Sequence, residues 1–182
     1  MFNTRKVRKV VILGDPMVGK TSLRKRFLGE GFSFNYMVTI GADFGIYHHS
    51  STETFQIWDL AGQANFEVVR ESYYKGTYGA LLVFDISRPV TFENLPRWIE
   101  ELKRNLDGEL VPFVLVGNKA DLRENSGKWA VKEEEGQNYA NLLSDWSSFD
   151  VPYYETSALT GLNVEVIFNQ LIEEIVALES TK

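Results

Sequence analysis

Cysteine is absent from all 182 residues, and much chemistry goes with it. Disulfides, thiolate zinc sites and a Cys nucleophile are excluded. Prenylation and palmitoylation are excluded on these residues too, because each needs a thiol to modify. Histidine is nearly absent: His48 and His49 are the only two. As neighbours on an expected strand they point to opposite faces, which argues for two solvent-side side chains and against a shared metal ion. No run approaches the roughly 18 apolar residues of a membrane span. The opening MFNTRKVRKVVILG has too short an apolar stretch for a secretory leader, and Phe2 stands where myristoylation needs glycine. Arg5, Lys6, Arg8 and Lys9 read as a solvated approach to a first strand. A basic surplus is missing as well. The formal net charge is −6, which argues against a general nucleic-acid binder.

What is present suits an ordered protein. Hydrophobic residues make up 44% and charged residues 24%, enough to bury a substantial core. Residues 1–182 read as one domain, with no internal repeat and no linker rich in Pro, Gly or Ser. KVVILG is a buried strand, and SLRKRFLGEG a helix that carries Leu23, Phe27 and Leu28 on one face and stops at Gly29 to Gly31. GADFGIYHHSSTETFQIWDL predicts a hairpin that turns near His49 to Thr52. ALLVFDI is another strand. The helix expected through TFENLPRWIEELKRNL either kinks at Pro96 or begins there. VPFVLVG, a helix at KEEEGQNYANLL, the strand in PYYETSA and a helix from about Leu162 to Glu179 complete the order. Strands that alternate with helices, several of them apolar on both faces, imply right-handed βαβ crossovers. The fold class is therefore α/β, with a mostly parallel sheet and one antiparallel hairpin strand.

Three segments carry chemistry. GDPMVGKT, Gly14 to Thr21, fits G-x-x-x-x-G-K-[ST] where a strand hands over to a helix. Its inward N–H groups and the helix N-terminus suit phosphate oxygens. Lys20 would neutralise the β- and γ-phosphates, and the Thr21 hydroxyl would ligate Mg²⁺. NKAD, Asn118 to Asp121, follows an apolar strand. The Asp121 carboxylate can accept from the ring N–H and exocyclic amine that guanine presents side by side, and adenine offers no such pair. Asn118 would tether that loop, and the stem of Lys119 can lie along the base. In IWDLAGQ, Asp59 can hold Mg²⁺ through a water, the Gly62 amide can meet the γ-phosphate, and Gln63 can orient an attacking water.

GDPMVGKT, YMVTIGADF, WDLAGQ, NKAD and ETSAL occur in order across nearly the whole chain, which resembles the Ras superfamily of small GTPases. IWDLAGQANF, YYKGTYGALLVFDIS and TFENLPRWIEELK resemble its Rab-like branch most. The resemblance implies a P-loop NTPase fold in three α/β/α layers. Its six-stranded sheet has one antiparallel strand and about five flanking helices. It implies GTP or GDP and Mg²⁺ as ligands, with Thr39 as the switch I threonine that ligates the ion and donates its amide to the γ-phosphate. Phe32 would meet guanine edge-on, and Tyr36 would close over the phosphates. Ser157 and Ala158 would complete the base pocket, the Ala158 amide on the guanine carbonyl, with Leu159 packing beside it. Asp15, Met17, Val18, Gly19, Lys20, Thr21 and Ser22 would surround the phosphates. Gln63, Lys20 and Thr39 are the catalytic candidates; Thr21, Thr39 and Asp59 are the metal candidates.

Departures from the family pattern set further expectations. Pro16 has no N–H and stands beside the expected γ-phosphate. The amides of Met17, Gly19, Lys20 and Thr21 remain, so binding should survive. Ala64 and Asn65 replace the Glu-Arg pair usual in switch II, Leu159 replaces a lysine, and the segment from Arg123 to Val151, with Trp146, is longer than in most Rabs. The C-terminus ALESTK offers no prenylation site, as in a shortened chain or a prokaryotic Rab-like protein that never carried a lipid. The leading reading is a slowly hydrolysing GTP switch, with switch I at about 32–41 and switch II at about 60–76. Effectors, an exchange factor and an activating protein would be its partners. It would be monomeric and cytoplasmic, and would reach a membrane only through a partner or a tail. A constitutively GTP-bound scaffold, motivated by Pro16, is the second reading. A P-loop kinase or ATPase is the third, and NKAD and ETSAL make no sense for it.

Overall fold

The computed structural model describes residues 5–33, 38–147 and 149–180. Six strands form one sheet: β1 Lys6–Leu13, β2 Ala42–His48, β3 Glu53–Leu60, β4 Thr77–Asp85, β5 Phe113–Asn118 and β6 Tyr153–Thr156. Their order across the sheet is β2-β3-β1-β4-β5-β6. β2 alone runs antiparallel, paired with β3 from Ala42↔Leu60 to His48↔Thr54; the other ladders are parallel. The α-helices are α1 Lys20–Phe27, α2 Glu67–Tyr74, α3 Pro89–Glu93, α4 Leu95–Asn105, α5 Arg123–Ser126, α6 Glu133–Ser147 and α7 Val164–Ser180. Two of these, α3 and α5, are shorter than eight residues, which leaves five substantial helices among the described residues, as expected.

The central strands are apolar on both faces because both faces are covered. Val11, Leu13, Leu82, Phe84 and Leu115 pack with Trp98, Leu102 and Leu143 on α4 and α6. From the other face Val10, Ile12, Leu81, Val83 and Val116 pack with Leu23 of α1 and Ile167, Phe168, Leu171 and Ile175 of α7. Each such fully buried aliphatic or aromatic side chain contributes about 1.5–3 kcal/mol relative to exposure. That packing fixes the strand ends, and the strand ends carry the functional loops.

Three details differ from the sequence expectation. The TFENLPRWIEELKRNL segment forms two helices rather than one: Asn94 separates α3 from α4, and Pro96 lies in the first turn of α4, the second of its two expected placements. Pro is suited to that turn because its missing N–H has no intrahelical partner to lose. The segment reading placed no helix at α2, although the resemblance implied about five helices in all. His49 falls in the hairpin turn, as the turn expected near His49 to Thr52 requires, and not beside His48 on β2. Both histidines are exposed, and His48 Nδ1 lies 3.1 Å from Thr54 Oγ1. In the 123–151 segment, Trp146 at the end of α6 is half exposed, with the Lys103 ammonium 5.1 Å over its ring.

Candidate functional site

Loops that follow β1, β3, β5 and β6 meet at the carboxyl ends of these parallel strands, where open α/β sheets place their ligands. They enclose a cavity of about 500 Å³. Its wall includes Met17, Gly19, Lys20, Thr21 and Ser22 from the first loop, Phe32 and Thr39 from the following segment, and Gly62 and Gln63 after β3. Asn118, Lys119 and Asp121 close it after β5, with Ala158 and Leu159 after β6.

The first loop leaves β1 at Leu13 and enters α1 at Lys20. Gly19 has φ +99°, and a Cβ there would lie 2.3 Å from Asn118 Nδ2, so only glycine permits this approach of two loops. The Lys20 side chain is buried, and its ammonium donates to the carbonyls of Gly14 at 2.7 Å and Asp15 at 2.9 Å. Burial pulls its pKa down to about 8, with Asp59 and Asp15 opposing and Arg70 assisting. At neutral pH the group is thus still a cation, held at the centre of the loop and facing the cavity.

Thr21, Thr39 and Asp59 converge. Thr39 Oγ1 donates to Asp59 Oδ2 at 3.1 Å and lies 3.1 Å from Thr21 Oγ1, and Thr21 Oγ1 also donates to Asp59 Oδ2. Asp59 is fully buried, and its Oδ1 has no hydrogen-bond partner among the described residues. Burial pushes this carboxyl upward from its ordinary range, against the pull of Lys20 and the two hydroxyls. One carboxylate and two hydroxyls are hard oxygen donors, a set too small for an all-protein cage. That fits Mg²⁺, which takes few protein ligands and completes its shell with phosphate and water oxygens. No cluster of three His, Asp or Glu residues suited to a metal occurs among the described residues.

On the opposite side, Asn118 is buried and donates through Nδ2 to the Val18 carbonyl at 2.8 Å. Its Oδ1 accepts from Thr156 Oγ1 at 3.0 Å and, at 3.4 Å, from the Ala158 amide expected on the guanine carbonyl. Lys119 adopts φ +69° and pairs with Asp85 Oδ2 at 2.7 Å. Ser157, itself buried, donates its hydroxyl to Asp121 Oδ1 and orients that carboxylate.

Not every expected residue faces the cavity. The Asp15 carboxylate turns away, to Asn94 Nδ2 at 2.7 Å and Trp98 Nε1 at 2.8 Å. Val18 is fully buried in the apolar core, so either residue would reach a ligand through its backbone. Tyr36 lies outside the described residues. Pro16, expected beside the γ-phosphate, lines the cavity, and so do Lys25, Gly31 and Ser33, which the sequence had not assigned to it. Lys25 follows Thr21 and Ser22 by four and three positions on α1, a spacing that places it on their face.

A family model for the Ras family matches residues 9–177. The chain belongs to the Ras family. Within it, similar relatives include Rab proteins. The chain is 39% identical to the Ras-related protein RABA2a of Arabidopsis thaliana over 177 residues, which cover 96% of this chain and 77% of that one. It is 40% identical to RABA1g of the same plant with the same coverage. Identity to the Ras-related protein rab-11.1 of Caenorhabditis elegans is 41% over 179 residues, 96% of this chain and 79% of that one. The protein is a Rab-like small GTPase of the Ras superfamily with the P-loop α/β fold.

Proposed function

We propose that this chain is a molecular switch that binds GTP or GDP with Mg²⁺ and hydrolyses GTP slowly. One observation carries the reading: Lys20, Thr39, Gln63 and Asp121 face a single cavity. Lys20 and the amides from Met17 to Ser22 would take the phosphates, and Thr21, Thr39 and, through a water, Asp59 would hold Mg²⁺. The ion supplies charge neutralisation on the phosphate oxygens. Asp121, oriented by Ser157, would accept guanine's two adjacent N–H groups; Asn118 braces its loop, and Phe32, Ala158 and Leu159 flank the base. Gln63 orients the attacking water, and its Oε1 is buried without a partner among the described residues. Loss of the γ-phosphate would release Thr39 and Gly62, so that 32–41 and 60–76 relax.

Slow turnover follows from where the arginines sit. Arg88 donates to the Pro16 carbonyl at 3.2 Å but is not part of the cavity wall. Stabilising charge would therefore come from an activating protein in trans. Effectors and an exchange factor would read the switches. Exposed Ile40 and Val68 lie within them and exposed Phe44 just beyond the first, with Phe44 stacked on Trp58 at 4.6 Å. The setting that fits the Rab relatives is trafficking, with the domain acting as a monomer. Among the described residues no helix is long and apolar enough to cross a membrane.

The test is single-turnover GTP hydrolysis with Mg²⁺, beside Gln63→Leu. Slow GDP formation that the substitution suppresses supports the switch. Bound GTP that stays intact in both proteins favours a constitutive scaffold, the reading that Pro16 motivates by placing a residue without an N–H in the cavity wall. No preference for guanine over adenine nucleotides overturns both.

A further inference from the structure

Beside the cavity lies a buried ionic assembly whose side chains are not part of the cavity wall. Arg70 of α2 is fully buried. Its Nε and Nη2 donate to the two carboxylate oxygens of Glu101 on α4, at 2.7 and 2.8 Å. Tyr74 donates its hydroxyl to Glu101 Oε1 at 2.7 Å. The remaining nitrogen, Nη1, donates to the carbonyls of Ala61 at 2.8 Å and Gln63 at 2.7 Å. These two carbonyls bracket Gly62. The guanidinium also sits 4.7 Å over the Trp98 ring, and Trp98 Nε1 donates to Asp15 Oδ1 in the phosphate loop.

Stability alone does not call for such a pair. Desolvating two charges is costly, and apolar residues of similar volume often serve a core as well or better. An apolar pair would lack the one thing this arrangement supplies, a donor fork that holds two backbone carbonyls on either side of Gly62. Arg, with its rigid planar donors, suits that task where Lys would not.

We propose that Arg70, clamped by Glu101 and seated on Trp98, is a positioning residue for GTP hydrolysis, fixing the Ala61–Gln63 backbone so that the Gly62 amide and the Gln63 side chain face the γ-phosphate. Trp98 ties this clamp to the phosphate loop through Asp15. The proposal rests on the GTPase reading above and adds a determinant on α2 and α4.

The test compares wild type, Arg70→Met/Glu101→Leu, Arg70→Lys and Gln63→Leu, and then combines the paired change with Gln63→Leu. The paired change removes both charges, so no lone ion is left buried. Single-turnover GTP hydrolysis should fall about tenfold or more, since small misplacements of a positioned group cost that much. GDP affinity should stay within about threefold, because no nucleotide-facing residue is altered. In the Gln63→Leu background the paired change should slow hydrolysis no further, because both act through one group. Arg70→Lys keeps the charge and loses the fork, so it should lose hydrolysis as well; it also reports if the paired variant does not fold. Unchanged hydrolysis in a folded variant, or an equal loss with and without Gln63, overturns the clamp while the GTPase reading stands. Wild-type protein that binds GTP but leaves it intact overturns both.

Discussion

The Asn118 side-chain amide donates to the Val18 carbonyl at 2.8 Å, which ties the NKAD loop, proposed to read the base, to the GDPMVGKT loop across 100 residues of chain. The same amide oxygen accepts from Thr156 Oγ1, so three loops at the carboxyl ends of β1, β5 and β6 share one buried side chain. That shared side chain sets the spacing between the loops proposed to hold the phosphates and the base.

Asn118→Ala would strand the Val18 carbonyl and the Thr156 hydroxyl in a buried place. Each unsatisfied group costs about 1–3 kcal/mol. Thermal unfolding should shift downward, and GDP release should quicken because the two loops lose their common brace. Unfolding of the nucleotide-free protein and fluorescent-GDP release check the two effects separately. A variant with unchanged stability would mean that the brace is redundant.

Asp121→Asn replaces an acceptor-only carboxylate with a group that also donates. Guanine's ring N–H and amine would lose charge-assisted bonds, each worth about 1.5–3 kcal/mol, so GDP affinity should fall about a hundredfold or more. Xanthosine diphosphate presents a carbonyl where guanine has its amine, and it should bind the variant better than it binds the wild type. Competition between the two nucleotides reads the change in preference directly.

The proposed nucleotide site is legible in the sequence because its motifs are local. GDPMVGKT and NKAD each keep their chemistry within one strand end and the turn that follows. The sheet is legible for a related reason, since strands covered on both faces must be apolar throughout. Helix α2 is not legible. Its sequence EVVRESYY places Arg70 inward, and a buried arginine makes sense only beside Glu101, 31 residues away. The direction of Asp15 is hidden likewise, because Trp98 and Asn94, its partners, lie about 80 residues on. Lys25 and Gly31 line the cavity through the path of the chain after α1 rather than through any motif.

Metal removal should loosen the nucleotide. Asp59 is a buried carboxylate with one oxygen unpartnered among the described residues, and Thr21 and Thr39 crowd its other oxygen. Without a divalent cation, the carboxylate would stand near the phosphates with Lys20 and Arg24 as the nearby cations that offset it, and like charges repel strongly at low dielectric. Chelation should speed GDP release about tenfold or more, an effect of only about 1.4 kcal/mol. Asp59→Asn removes that repulsion together with a ligand for the ion, so its release rate should depend far less on chelator. Equal sensitivity of the variant and the wild type would remove Asp59 from the metal site.

Gly62 offers the sharpest steric test of switch II. A Cβ at this position would lie 2.6 Å from the Asp15 carbonyl carbon and the Pro16 nitrogen, and 2.7 Å from the Gly14 carbonyl oxygen. These are backbone atoms of the phosphate loop, fixed by β1, so the switch would have to move instead. In Gly62→Ala the 61–63 segment should be displaced, taking its amide and Gln63 away from the γ-phosphate. GDP, which lacks that phosphate, should bind nearly as well as before. GTP affinity should fall about tenfold with the loss of one charge-assisted backbone bond of about 1.5–3 kcal/mol, and hydrolysis should fall further, because Gln63 leaves with it. Paired titrations with GDP and a non-hydrolysable GTP analogue separate the two. A variant that weakens both nucleotides alike would mean that the added methyl group displaces the phosphate loop, and that Gly62 serves that loop's packing rather than sensing the γ-phosphate.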